Sequence, residues 1–246
     1  MEPDKCWTNK YKVHSFLCNN LGKIRVSSIA KLLQESAWEH AEHCGAGYHT
    51  LKPYGLVWIL HGLKIEISAY PTWGDHLSLE TWGKNYETLF AYRDFEIRNQ
   101  GNETPVIKAS SSWLLVNAES HRPQRIEGKL QKIPVNQRDA LNSRPGEIVL
   151  PGELKSFYMH KVVHSDIDIY DHVNNTSYIQ FCVDAVTGSK DSIDQIKSFE
   201  IKFIQESKLG EELKIEYTRQ GDNFYFQARN NLNQKEIFRA QATLKR

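Results

Sequence analysis

The chain has 246 residues, 40% of them hydrophobic and 25% charged, enough to bury one large core or two smaller ones. A formal net charge of +1 gives no footprint for nucleic acid or an anionic membrane surface, and no apolar run approaches the ~20 residues of a bilayer span. Cys6, Cys18, Cys44 and Cys182 show no CxxC or paired spacing and read as reduced thiols. The opening MEPDKCWTNKYKVH is polar, without a signal core or transit character, so a cytoplasmic location is expected.

In chain order, residues 10–17 alternate through Tyr11, Val13, Ser15 and Leu17 and predict a strand. Ser27 or Ser28 is the expected N-cap of a helix that places Ile29, Leu32, Leu33, Ala37, His40, Ala41 and Cys44 on one stripe and stops at Gly45. Strands are expected over 56–69, 75–86, 90–98 and 106–117, rich in β-branched and aromatic residues and punctuated by Pro71, Gly74, Gly101 and Asn102. Trp58, Trp73, Trp82 and Trp113 are placed on strands of the first half and are expected mostly in the core, although some can line a tunnel. No histidine spacing is convincing for a metal, and none is expected. A strand, a long helix and then antiparallel strands is an α+β pattern, a sheet wrapped around a helix.

The second half repeats the first. IEISAYPTWGDHLSLET begins at Ile65 and IKFIQESKLGEELKIEY at Ile201, and the offset of 136 places Gly74 on Gly210, Asp75 on Glu211, Leu77 on Leu213 and Glu80 on Glu216 without a gap. One long repeat means a duplicated domain rather than a solenoid. The division expected is 1–130, a linker over 131–155 carrying Pro134, Pro145, Gly146, Pro151 and Gly152, and 156–246.

The stretch Ser165–Val186, SDIDIYDHVNNTSYIQFCVDAV, carries the chemistry. It sets Asp166, Asp168, His172, Asn174 and Asn175 in a short loop before a helix whose Tyr178, Ile179, Cys182, Val183 and Val186 share a face, with Gly188 as the expected stop. Asn174 or Asn175 is the expected N-cap, and the free N–H groups there, with the positive end of the helix dipole, favour an anion or a developing oxyanion. Aligning the two helices at an offset of 147 places Leu21 opposite Asp168 and Arg25 opposite His172, so only the second copy has the acid and the imidazole. That asymmetry places the chemistry in the C-terminal half.

DIDIYDHVNNTSYIQF resembles the active-site loop and helix start of hotdog-fold thioesterases. SIAKLLQESAWEHA, GLVWILHGLKIEISAYPTWGDHLSLETW, AYRDFEI and KASSSWLLVNAESHRPQRI are similar to the plant and bacterial acyl-ACP thioesterases. The resemblance runs from about Trp7 onward and implies a tandem (double) hotdog, each half an antiparallel sheet around a long helix, the first receiving the acyl chain and the second catalytic. It implies Asp168, His172 and Glu206 as catalytic residues, places Ser207 where the plant enzymes have Cys, and puts Tyr170 where the family has Asn. Tyr is common there in single-domain hotdog acyl-CoA thioesterases. Which of Asp168 and Glu206 activates water stays open, and the backbone around Asn174 and Asn175 is the expected substrate and oxyanion contact. The implied activity is hydrolysis of long-chain acyl-ACP to free fatty acid, ending elongation, without a cofactor. The implied partners are acyl carrier protein, through its 4'-phosphopantetheine thioester, and the fatty acyl chain. The alternatives are an acyl-CoA thioesterase and a non-catalytic acyl-thioester binder. Hotdog sheets pair edge to edge, which the two halves can do within one chain; a homodimer of whole chains is also compatible.

Overall fold

The computed structural model describes residues 5–126, 134–186 and 195–245. The chain forms two compact units, Met1–Arg144 and Pro145–Arg246.

The first unit is an antiparallel sheet of β1 (Trp7–Lys12), β2 (Leu56–Ile67), β3 (His76–Tyr86), β4 (Phe90–Asn99) and β5 (Ile107–Asn117), in the order β1-β3-β4-β5-β2. Helix α1 (Val26–His43) packs on β3 and β1, and of its expected stripe Ile29, Leu33, Ala37 and His40 are buried while Leu32 and Ala41 are half-buried. Gly45 at φ 65° ends it, with Gly45 N–H donating to Glu42 O and Ala46 N–H to Ala41 O, the paired bonds of a Schellman cap. A single turn, α2 (Tyr48–Leu51), follows.

Three local expectations are corrected. The first strand is Trp7–Lys12, and residues 15–17 form a 3-10 turn in which Leu17 N–H bonds to His14 O, because pairing of β1 with β3 ends at Lys12 opposite His76. The α1 N-cap is Arg25, with Ser27 and Ser28 buried inside the first turn: Arg25 N–H is held by Leu17 O, so the helix starts before the serines. Trp73 is 69% exposed and lies outside the strands, in a turn where Gly74 takes φ +94° and the Asp75 carboxylate accepts from Thr72 N–H and Oγ1. Trp82 and Trp113 are buried in the core as expected.

The segment before the unit boundary is strapped to the first unit. Trp82 Nε1 donates to Arg138 O at 2.8 Å, the Arg138 guanidinium lies 3.9 Å from the Trp82 ring centroid, and its Nη2 reaches Glu80 at 2.9 Å. Asn136 N–H bonds to Gly83 O and Ala140 N–H to Asp94 Oδ2, while Ala140 and Leu141 are buried. Of the expected linker, residues 131–133 lie outside the described residues.

The second unit has β6 (Ser156–Lys161), β7 (Ile196–Phe203), β8 (Glu212–Gln220), β9 (Asn223–Asn230) and β10 (Glu236–Leu244), ordered β7-β10-β9-β8-β6 and antiparallel throughout. This is the order of the first unit read strand for strand. Gly74 and Gly210, matched by the repeat, both take positive φ, 94° and 83°, in the turn before the third strand of their unit, so the repeat is one of backbone as well as of residue type. Helix α3 (Asn175–Ala185) packs on β6 and β8, with Tyr178 against Phe238, and the unit's core includes Phe199, Phe224, Phe226 and Phe238, each buried ring stabilising it by about 1.5–3 kcal/mol. The expected stop, Gly188, lies outside the described residues. No helix among the described residues is long and apolar enough to cross a membrane.

Candidate active site

Between β6 and α3 the chain makes a 3-10 turn over His164–Asp166 and then a closed loop. Ile167 and Val173 bridge antiparallel, Asp168 N–H donates to His172 O at 2.9 Å, and Asp171 N–H donates to Asp168 O at 3.1 Å. Asp171 sits at φ 62°, a left-handed position that Asp tolerates because its side chain can bond locally. Asp168 Oδ1 accepts from Tyr170 N–H at 2.9 Å, an Asx turn that fixes the carboxylate. The loop is then tied down twice: Val173 N–H donates to Ser207 O at 2.9 Å and Asn174 N–H to Asp166 O at 2.8 Å. Ser207 belongs to the turn after β7, and its N–H donates to the hydroxyl of Tyr178, buried in α3, at 3.0 Å. Loop, helix and turn therefore meet, and the turn delivers Glu206 with Oε2 3.4 Å from His172 Nε2.

Burial raises the Asp168 carboxyl above the ordinary Asp value; the backbone N–H groups of Tyr170 and His172 and the His172 side chain pull it down, and Glu206 pushes it up. The three predicted catalytic residues are thus electrostatic neighbours, Asp168 half-buried and Glu206 more open. The His172–Glu206 contact is partly exposed and stabilises by at most about 1 kcal/mol, so its use is positional. Asn174 is the N-cap: its Oδ1 accepts from Thr176 N–H at 2.9 Å and Thr176 Oγ1 at 2.7 Å. With Asn174 N–H engaged by Asp166, the backbone donor at this helix end without an acceptor among the described residues is Asn175 N–H.

A rate limited by ionised Asp168 falls as pH drops through its raised pKa, so the acid limb of kcat/KM is expected above the ordinary Asp value. Glu206→Gln removes a like charge that raises that pKa, and the acid limb of the remaining activity is expected to move to lower pH. A pH–rate profile of the two proteins checks this; a limb that moves up contradicts it.

Two supporting residues carried no sequence signal for their pairing. Asp166 Oδ2 meets His160 Nε2 at 2.9 Å and accepts from Val163 N–H at 2.9 Å, while the Asp166 carbonyl holds Asn174 N–H and Ser177 Oγ. His160, on β6, packs with its ring centroid 3.8 Å from that of Phe181. Together they fix the loop's entry on the underside of α3.

The first unit has the same loop with other side chains. Cys18 bridges Ile24, Asn19 N–H donates to Lys23 O, Gly22 N–H to Asn19 O, Leu21 N–H to Asn19 Oδ1, and Ile24 N–H to Pro71 O. These bonds pair Asn19 with Asp168, Leu21 with Tyr170, Lys23 with His172, Arg25 with Asn174 and Pro71 with Ser207. The alignment of Leu21 with Asp168 and Arg25 with His172 is therefore corrected by two residues. Its cause is the serine cap: matching Ser27 to Asn174 slips the loop, since the caps that correspond are Arg25 and Asn174. The asymmetry remains, because Asn19 and Lys23 supply neither carboxylate nor imidazole.

The first unit instead has a cavity of about 60 Å³, lined by Ala37, Trp38 and Ala41 of α1 and by Trp58, Trp113 and Ile126. Leu51, Leu56, Leu115 and Ile126 form a buried cluster against which Trp58 and Ala91 of this lining pack.

Two family models match the chain, the acyl-ACP thioesterase N-terminal domain over residues 4–133 and the acyl-ACP thioesterase C-terminal domain over 153–245. It is 24% identical over 205 residues to an oleoyl-acyl carrier protein thioesterase of Arabidopsis thaliana, covering 76% of this chain and 55% of that protein. A dodecanoyl-[acyl-carrier-protein] hydrolase of Cinnamomum camphora is also 24% identical over 205 residues, covering 76% of this chain and 53% of that one. The chain thus spans about half the length of these curated relatives. Its fold superposes on a crystal structure of an acyl-ACP thioesterase from Bacteroides thetaiotaomicron with a TM-score of 0.88 at 23% identity, over 100% of both chains. The 12:0-ACP thioesterase from Umbellularia californica gives 0.86 at 18% identity, over 98% of both.

Proposed function

The chain belongs to the acyl-ACP thioesterase family, and from that premise we propose that it hydrolyses long-chain acyl-ACP to free fatty acid and holo-ACP. The observation that carries the proposal is the meeting of Asp168, His172 and Glu206 at the start of α3 in the second unit only. Each unit is read as one hotdog of a tandem pair, supported by the shared strand order and the helix on each sheet. The first unit, with its apolar cavity, receives the acyl chain.

Asp168 is the general base. Its carboxylate takes a proton from water, and the water oxygen adds to the thioester carbonyl carbon. A carboxylate whose pKa burial has raised is a stronger base than a solvated one, at the price of a narrower pH range. The developing oxyanion is held by Asn175 N–H at the positive end of α3, a donor of the kind worth about 3–4 kcal/mol in other enzymes. Collapse breaks the C–S bond and expels pantetheine thiolate, a good leaving group that takes up a proton and needs no strong acid at sulfur. Glu206 orients His172, which faces the same charge and stabilises Asp168 in its ionised form.

Tyr170 favours a second reading, an acyl-CoA thioesterase, because the Asx turn at Asp168 is closed by a tyrosine where the family has Asn. A panel of acyl-ACP and acyl-CoA substrates of graded length, with thiol release as readout, separates the two. Faster release from ACP thioesters supports the first reading, and equal or faster release from CoA thioesters supports the second.

A further inference from the structure

We propose that the cavity of the first unit takes an acyl chain that ends in oxygen, and that Arg93 is the group that recognises that end. The inference deepens the reading of this unit as the acyl-chain receiver and rests on it.

Arg93, on β4, is 9% exposed and lines the cavity. Its Nη1 donates to His40 Nδ1 at 2.8 Å and to Thr81 Oγ1 at 3.2 Å; since a guanidinium only donates, His40 Nδ1 is the acceptor here. Those bonds pin α1 to β3 and account for one nitrogen. Nε and Nη2 donate to no described residue, and the titratable neighbour that acts on Arg93 is the thiol of Cys44 rather than a carboxylate. Burial lowers the guanidinium to about 10, which leaves it cationic at neutral pH. A buried cation without its full set of acceptors is costly, and tying a helix to a strand requires no charge.

Three other polar groups of the lining are satisfied elsewhere. Lys84 Nζ donates to Gln137 O and Arg138 O, each at 2.9 Å, and pairs with Asp139 at 2.6 Å. The indole N–H groups of Trp58 and Trp113 bond to Ala46 O at 2.9 Å and Ser111 Oγ at 2.8 Å, so their rings offer carbon to the cavity. The result is a largely apolar pocket with unspent N–H donors on one cation. A methyl end pressed against Arg93 buries those donors against carbon. A hydroxyl, keto or carboxylate oxygen accepts from them, and discrimination by buried donors is far larger than discrimination by one methylene. Such an oxygen comes either from the distal end of a bound acyl thioester or from the carboxylate of a free fatty acid.

Calorimetry on the full chain tests this with two ligand pairs that need no turnover. The first pair is dodecanoyl pantetheine with nitrogen in place of the thioester sulfur, carrying a methyl or a hydroxyl at the distal carbon. The second is dodecanoate against dodecane, the same chain without the oxygens. The oxygen-ended member of one pair is expected to bind at least about tenfold more tightly, and Arg93→Met to bring that ratio near one. A preference in the first pair assigns the oxygen to the substrate's distal end, and one in the second assigns it to the free acid. Failure of the wild-type protein to prefer oxygen in either pair, whether both members bind or neither does, overturns the proposal, as does a preference that survives Arg93→Met. The wild-type ratios decide even where that variant does not fold. Equal binding within both pairs by a protein that still releases thiol from acyl-ACP refutes the role of Arg93 and leaves the hydrolase reading standing.

Discussion

Asp168→Asn is expected to slow thioester hydrolysis by at least about a hundredfold without loss of the fold, the effect of removing a positioned general base. Asn keeps an oxygen for the bond from Tyr170 N–H and removes the charge and the second acceptor oxygen. The stability sign follows from the raised pKa. The folded protein holds the Asp168 proton more tightly than the unfolded chain, so its ionisation destabilises the fold as pH rises through that window, and the cost is fully present above the folded pKa. At neutral pH the variant is therefore expected to melt no lower than the wild type. The equivalent residue of the first unit provides the control. Asn19→Ala breaks the same turn, where Asn19 Oδ1 accepts from Leu21 N–H and Lys23 N–H, yet is expected to hydrolyse substrate near the wild-type rate. Thiol-release rates with thermal melts of both variants check this; equal losses in the two would remove the assignment of chemistry to the second unit.

Trp82→Ala is expected to cost about 3–5 kcal/mol, the usual range for deleting a fully buried large aromatic side chain. Trp82 is 0% exposed, and its loss also removes the donor to Arg138 O and the ring under the Arg138 guanidinium. The segment 134–144 should then become sensitive to protease while the second unit stays resistant. Urea midpoints and the position of the first cleavage measure both effects; a variant as stable as wild type, or cut first elsewhere, would show that the strap does not depend on this residue.

Sequence and structure agree where period and punctuation carry the information. The α1 stripe, its glycine stop and strands β2–β5 follow from side-chain periodicity, which burial enforces. The Gly74–Gly210 match is legible because both turns need a positive φ that glycine adopts without strain. The misplacements occur where a tertiary bond overrides local preference. Arg25 caps α1 because Leu17 O holds its N–H, although serines stand two and three residues on; Trp73, between Pro71 and Gly74, projects instead from a turn closed locally by Thr72 and Asp75. Within the site, Asp168 and His172 are near each other in sequence and could be read together. Glu206, Ser207 and Tyr178 meet only through the turn after β7, and the His160–Asp166 pair depends on where β6 lies under α3. Arg93 is a further case: on sequence alone it is one arginine in a strand, and only its place in the lining of the cavity makes its unspent donors visible.

The most direct test is thiol release from a large molar excess of long-chain acyl-ACP by the wild-type protein. Many thiols per protein molecule, with that turnover abolished in Asp168→Asn, is the predicted result. Saturable binding of acyl-ACP with no more than one thiol released per protein would contradict it and leave an acyl-thioester binder in place of a hydrolase.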